Sequence, residues 1–195
     1  MSSTVFKPLY ALLLTCWLLF PNPALAALTN QDSPLAVLSN PNHFILLRHA
    51  LAPGTGDPAS FDLNDCRTQR NLSEAGREQA REIGERLRRA GITKATVFSS
   101  QWCRCLETAD LLNLGPVTKL PALNSFYQAP ETRSTRLKQF ATWLEEHPLE
   151  GPTILVTHQV TISALTREFT GSGDGVIVQH LGDGKLQVVG KFRAP

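Results

Sequence analysis

Apolar positions along the chain switch between two periods. Residues 44–47 read Phe-Ile-Leu-Leu, a short, wholly apolar run that stops at Arg48-His49, as a buried parallel strand does. Residues 96–99 (TVFS), 117–120 (VTKL) and 153–157 (TILVT) are further short runs rich in β-branched and apolar residues and predict three more strands. Between the strands the period lengthens. Ser73 has the chemistry of an N-cap, Glu74 stands in the first turn, and Ala80, Ile83 and Leu87 recur on one face until Gly91. Arg104–Leu112 predicts a second helix, with Ala109 and Leu112 inward. Thr132–His147 predicts a third, with Leu137, Phe140, Ala141 and Leu144 on one face and Pro148 as its stop. Val160–Phe169 predicts a fourth. Two final strands, 176–181 and 185–192, flank Gly182-Asp183-Gly184, a hairpin signal. Residues 51–71 crowd Pro, Gly, Asn and Asp together and predict a long loop.

This order of elements implies an α/β fold of three layers: a mainly parallel sheet, helices on both faces, and a C-terminal hairpin. In such sheets the binding crevice lies at the carboxyl ends of the strands. Arg48 and His49 follow the first strand, Ser99, Ser100 and Arg104 the second, and His158 the fourth. Three strand ends thus deliver two Arg and two His to one edge.

The N-terminus follows a different pattern. Leu9–Phe20 is an uncharged apolar run preceded by Lys7 and followed by Pro21-Asn22-Pro23 and Ala24-Leu25-Ala26. A charged start, a short apolar core and a small-x-small site make residues 1–26 an expected signal peptide, with residues 27–195 as one domain. The run is shorter than the ~20 residues a membrane span needs, so no stable membrane insertion is expected after cleavage. The expected location is the periplasm. Removing 26 of the 195 residues takes Lys7 away, so the 19 basic residues become 18 against 17 acidic. Near-balance gives no dense basic patch, and nucleic acid is not an expected partner. Cys16 also leaves, and Cys66, Cys103 and Cys105 remain. In an exported protein three cysteines allow one bridge, from Cys66 to Cys103 or to Cys105. A Cys-x-Cys chelate lacks a nearby His at ligand spacing, so no metal site is expected.

Two guanidiniums make a permanently charged planar clamp for phosphate. An imidazole with one bare nitrogen is a competent nucleophile toward phosphorus. Phosphoryl transfer asks mainly for positioning and charge neutralisation. The two His and two Arg suit that chemistry, whereas adjacent guanidiniums would repel a metal cation.

The segments LLRHA (46–50), NLSEAGREQA (71–80), FSSQWCRCLETA (98–109) and LVTHQ (155–159), in this order, resemble the histidine phosphatases. The resemblance implies a phosphoglycerate mutase-like fold, His49 as the nucleophile of a phosphohistidine, Arg48, Arg104 and His158 around the phosphate, and no cofactor. Ala50 stands where the family has Gly. Gly54, Thr55 and Gly56 occupy the stretch where the family carries Thr and Asn, and their backbone N–H groups are candidate substrate contacts. Ser125 and Gln159 stand at the two positions where branches of the family carry an acid. Gln159 is therefore a candidate substrate contact, and the proton donor is open among Asp57, Asp62, Asp65 and Glu107. Trp102 is a candidate lining residue, with core packing as its alternative, and Arg70 is a candidate source of positive potential, with a surface role as its default.

These readings point to an exported phosphatase acting on a small-molecule or glycan phosphate. Among secreted members of the family, size, signal peptide and short hairpin resemble those acting on lipopolysaccharide core heptose phosphates. The alternatives are a non-catalytic anion-binding envelope protein and a phosphohistidine-protein phosphatase.

Overall fold

The computed structural model describes Met1 and residues 34–195 of the chain. The expected signal peptide, with Cys16, therefore lies outside the described residues beyond Met1. Six strands form one sheet: β1 (His43–Arg48), β2 (Thr96–Ser99), β3 (Val117–Lys119), β4 (Thr153–Thr157), β5 (Gly175–His180) and β6 (Leu186–Phe192). Their order is β3-β2-β4-β1-β5-β6. The first four are parallel, and β5 and β6 add an antiparallel pair at the β1 side. Among the described residues the α-helices are α1 (Glu74–Arg89), α2 (Cys103–Leu112), α3 (Arg133–Glu146) and α4 (Gln159–Thr166).

The pleat of β1 explains the three layers. Ile45 and Leu47 face a core shared with Ile83 and Leu87 of α1 and Ala109 and Leu112 of α2. Phe44 and Leu46 face the other core, with Phe140 and Leu144 of α3 and Ile162 of α4. Both faces are covered, so the strand is apolar throughout, and its polarity appears only where it ends.

Local chemistry sets the helix boundaries. The Ser73 hydroxyl accepts from the Gly76 N–H at 3.0 Å, capping α1. At its other end the N–H of Gly91 reaches Arg88 O and that of Ile92 reaches Leu87 O, a Schellman arrangement that needs the positive φ of Gly91. Inside α1, Gly76 lets the helix lie against the loop after β1: a Cβ there would stand 2.0 Å from Leu51 O.

Two expectations shift. The inward face of α3 is Phe140, Trp143 and Leu144, while Leu137 and Ala141 are only half-buried. Trp143 lies edge-on to Phe98 at 4.8 Å, and that aromatic contact turns the helix. Helix α4 ends at Thr166, short of the expected Phe169. Arg167 enters the left-handed region (φ 63°), the Ser163 hydroxyl donates to Glu168 O, and Phe169 is exposed. The early stop lets the chain return so that Thr170 O accepts from Arg48 Nη1 at 2.7 Å. Among the described residues no helix is long and apolar enough to cross a membrane.

Candidate active site

The carboxyl ends of β1, β2 and β4 bring Arg48, His49, Arg104 and His158 to one pocket of about 310 Å³. The parallel register aligns Arg48 with Thr157 and Ser99 with Val156, so all three strands stop at one level. Helix α2 then starts directly above β2 and carries Arg104 in its first turn.

His49 is 3% exposed. Its Nδ1 lies 2.8 Å from Ala50 O. A carbonyl only accepts, so Nδ1 holds the proton and Nε2 is left with its lone pair. The Ala50 N–H in turn donates to Thr108 Oγ1 at 3.0 Å, and Thr108 Oγ1 donates to Arg104 O at 2.7 Å, which ties the strand end to α2. Burial and then Arg104, Arg48 and Arg70 push the imidazole from its usual 6.5 down to about 3, against the raising effect of the Ala50 bond. The ring is therefore neutral at physiological pH.

His158 is equally buried, with its ring centroid 5.5 Å from that of His49. Its Nε2 shares a hydrogen bond with Ser100 Oγ at 2.8 Å, and that hydroxyl also reaches Asn124 Oδ1 at 3.2 Å. Burial first, then Arg104, His49, Arg70 and Arg48, hold His158 well below the usual imidazole range. Its thiol neighbour Cys105, 3.5 Å from Nε2, is pushed up to about 12 by burial and stays a thiol.

The electrostatics rest on three guanidiniums rather than two. Arg70, expected at the surface, lines the pocket. Its Nε donates to Gly56 O at 2.8 Å and its Nη1 to Ala52 O, so the long loop holds it in place. Arg104, 3% exposed, grips Asp57: Nη1 to Oδ1 at 2.8 Å and Nη2 to Oδ2 at 3.1 Å. Trp102 Nε1 and the Arg70 N–H add bonds to the same carboxylate, each at 3.0 Å. Burial alone would raise the Asp57 carboxyl; these four donors outweigh it and hold the group below the usual carboxylate range. The Nε atoms of Arg48 and Arg104 are buried without a protein partner. Three guanidiniums against one carboxylate leave the pocket with two positive charges, the complement of a phosphomonoester dianion.

The other candidates divide cleanly. Gly54, Thr55 and Gln159 line the pocket. Gln159 Oε1 accepts from Thr170 N–H and Oγ1 at 3.2 Å, so it also supports the loop whose carbonyl holds Arg48. Asp57, Trp102 and Ser125 line the pocket too. Asp62, Asp65 and Glu107 do not: Asp62 binds Asn64, Asp65 pairs with Arg67, and Glu107 pairs with Arg77. Cys66 pairs with Cys103, which fastens the long loop to the residue before Arg104, and Cys105 is free. Arg70 takes the electrostatic role rather than its default surface one, and two participants escaped sequence reading: the Ser100–Asn124 support of His158, and Gln128, which clamps Asp57 through its N–H and C=O. Of these only Ser100 carried a signal, its position at a strand end.

Residues 44–128 match the histidine phosphatase superfamily (branch 1). A mitochondrial serine/threonine-protein phosphatase Pgam5 of Drosophila virilis is 34% identical over 83 residues, 43% of this chain and 26% of the relative. The chain thus spans about a quarter of the length of the curated relatives it matches. Among solved structures, the phosphohistidine phosphatase SixA from Agrobacterium tumefaciens is similar at 17% identity and a TM-score of 0.53, covering 78% of this chain and 98% of that one. A mycobacterial glucosyl-3-phosphoglycerate phosphatase is similar at 17% identity and 0.51, covering 75% and 96%. These structures share the three-layer fold.

Proposed function

We propose, from the match of residues 44–128 to the histidine phosphatase superfamily, that the chain is an exported phosphatase hydrolysing a phosphomonoester through a phosphohistidine on His49. One observation carries the reading: a buried imidazole, its Nδ1 pinned by Ala50 O and its Nε2 bare, stands among three guanidiniums.

The mechanism follows from the placement. Arg48, Arg70 and Arg104 draw the phosphoryl oxygens in and spread their charge. His49 Nε2 attacks phosphorus, the P–N bond forms, and the ester P–O bond breaks in line. The leaving oxygen takes a proton and departs as the alcohol. Water then attacks the phosphohistidine, gives up a proton, and releases phosphate and free His49. His158, held by Ser100, fixes the pocket wall beside His49.

The substrate proposed is an envelope sugar phosphate, such as a lipopolysaccharide core heptose phosphate. The signal pattern of residues 1–26 supports export, and so does a Cys66–Cys103 disulfide, which suits an oxidising compartment. Trp102, Phe61 and Tyr127 around the phosphate end suit a sugar ring. A second reading, an anion-binding protein without turnover, draws on Asp57 already filling the Arg104 fork. Assay on p-nitrophenyl phosphate separates the two. Turnover abolished by His49→Ala supports the enzyme. No turnover, with phosphate binding that survives His49→Ala, supports the binding protein.

A further inference from the structure

We propose that Asp57 is the proton donor to the leaving oxygen, and that the site therefore serves alkyl phosphomonoesters, whose alkoxide leaving groups need that proton. The inference rests on the phosphatase reading above.

Among the described residues, Asp57 is the only carboxylate lining the pocket. Its side chain is 2% exposed, which sets it apart from the solvated acids of the same loop. Both its oxygens are held from fixed points: the Trp102 indole on Oδ2, the Arg70 backbone N–H on Oδ1, and the Arg104 fork across both. Gln128 straps its backbone, donating to Asp57 O at 3.0 Å and accepting from its N–H at 2.7 Å. These bonds hold the carboxylate in one place at the pocket wall.

In the resting pocket Asp57 is ionised, because Arg104 faces it. That balance changes when a phosphoryl dianion arrives on the same guanidinium. Two anions then share Arg104, and like charges in one site drive a proton onto one of them. The Trp102 and Arg70 donors keep the carboxyl in place while Arg104 turns part of its charge to phosphate. Arg104 Nε–H, buried without a partner, is a donor in reserve for that second contact.

The proton balance closes. Substrate binding loads one proton onto Asp57, from the ester monoanion or from solvent. As His49 Nε2 bonds to phosphorus and the P–OR bond breaks, Asp57 gives that proton to RO. The carboxylate then takes one proton from the water that attacks phosphohistidine, and His49 is released.

The test is leaving-group dependence. kcat/KM is measured for p-nitrophenyl phosphate, phenyl phosphate and glycerol phosphate, with wild type and Asp57→Asn. A donor makes the wild-type rates nearly independent of leaving-group basicity. Its removal should cut turnover of glycerol phosphate by about 10²–10⁴ and of p-nitrophenyl phosphate by far less. An equal loss on all three esters, or a gain, would overturn the proposal and leave Asp57 as a positioning group for Arg104. Asp57→Glu keeps an acid, and it should restore the alkyl-to-aryl ratio. If Asp57→Asn does not fold, the wild-type series decides alone: a shallow dependence supports the donor, a steep one overturns it. Absence of wild-type turnover on every ester overturns the phosphatase reading, and this one with it.

Discussion

Replacing both Cys66 and Cys103 by Ser should separate how much of the pocket is held by a covalent tie and how much by packing. The bridge spans a sequence separation of 37. Closing a loop of that length in the unfolded chain removes entropy equivalent to about 4 kcal/mol at 25 °C. The native side loses little, because the Cys103 N–H keeps its bond to Gln69 Oε1 at 3.0 Å. Urea unfolding should therefore lose about 4 kcal/mol, a midpoint shift of about 2 M for an m-value near 2 kcal/mol/M. Dithiothreitol should reproduce the loss in wild type and leave the double variant unchanged. Catalysis adds a second readout. The bridge joins the loop that holds Arg70 to the N-terminus of the helix that holds Arg104. KM for p-nitrophenyl phosphate should rise more than kcat falls. A loss below about 1 kcal/mol, with unaltered KM, would show that packing alone pins this loop and that the entropic argument fails here.

Other perturbations test separate parts of the account. Gly76→Ala puts a methyl 2.0 Å from Leu51 O, two residues after His49. It should cost about 1–3 kcal/mol in thermal or urea unfolding and lower kcat as the strand end shifts. Acid should weaken the fold before any carboxylate titrates. His49 falls to about 3 in the folded state and His158 lies well below 6.5. The unfolded chain binds their protons first, so this stability is whole above pH 6.5 and is lost as pH falls toward 4. The slope is about 1.4 kcal/mol per pH unit for each imidazole, seen as a falling urea midpoint between pH 6.5 and 4.5. His49→Ala should flatten that slope. Arg70→Lys removes the fork that binds Gly56 O and Ala52 O. It should raise KM about tenfold, about 1.4 kcal/mol of binding, with a smaller effect on kcat.

What could be read from sequence was local. The abrupt ends of the apolar strands placed Arg48, His49 and His158 at one edge, because parallel strands must all end there. Ser73 and Gly91 bounded α1 through backbone chemistry that depends on one residue each. What stayed hidden depends on long-range packing. Asp57 and Arg104 are 47 residues apart, and nothing in either segment announces their pairing. Arg70 could be named as a source of positive charge, but only the folded loop, with its two carbonyls, separates that role from the surface default. The cysteine count limited Cys66 to two partners, but only the orientation of α2 separates Cys103, turned to the loop, from Cys105, turned to His158. Hairpin chemistry foretold β5 and β6 without saying that they would add to β1 in antiparallel sense, since strand order is set by which face needs covering. In α3, Trp143 displaced the simpler aliphatic stripe because its ring packs against Phe98.

The covalent intermediate is the most direct test of what this pocket does. The purified protein is mixed with p-nitrophenyl phosphate, quenched in alkali to preserve a phosphorus–nitrogen bond, and digested for mass spectrometry. The account requires one added phosphoryl group on the peptide containing His49, absent from His49→Ala and longer-lived when the second step is slowed. Turnover with no phosphoryl group on that peptide, or with one on another side chain, would contradict it.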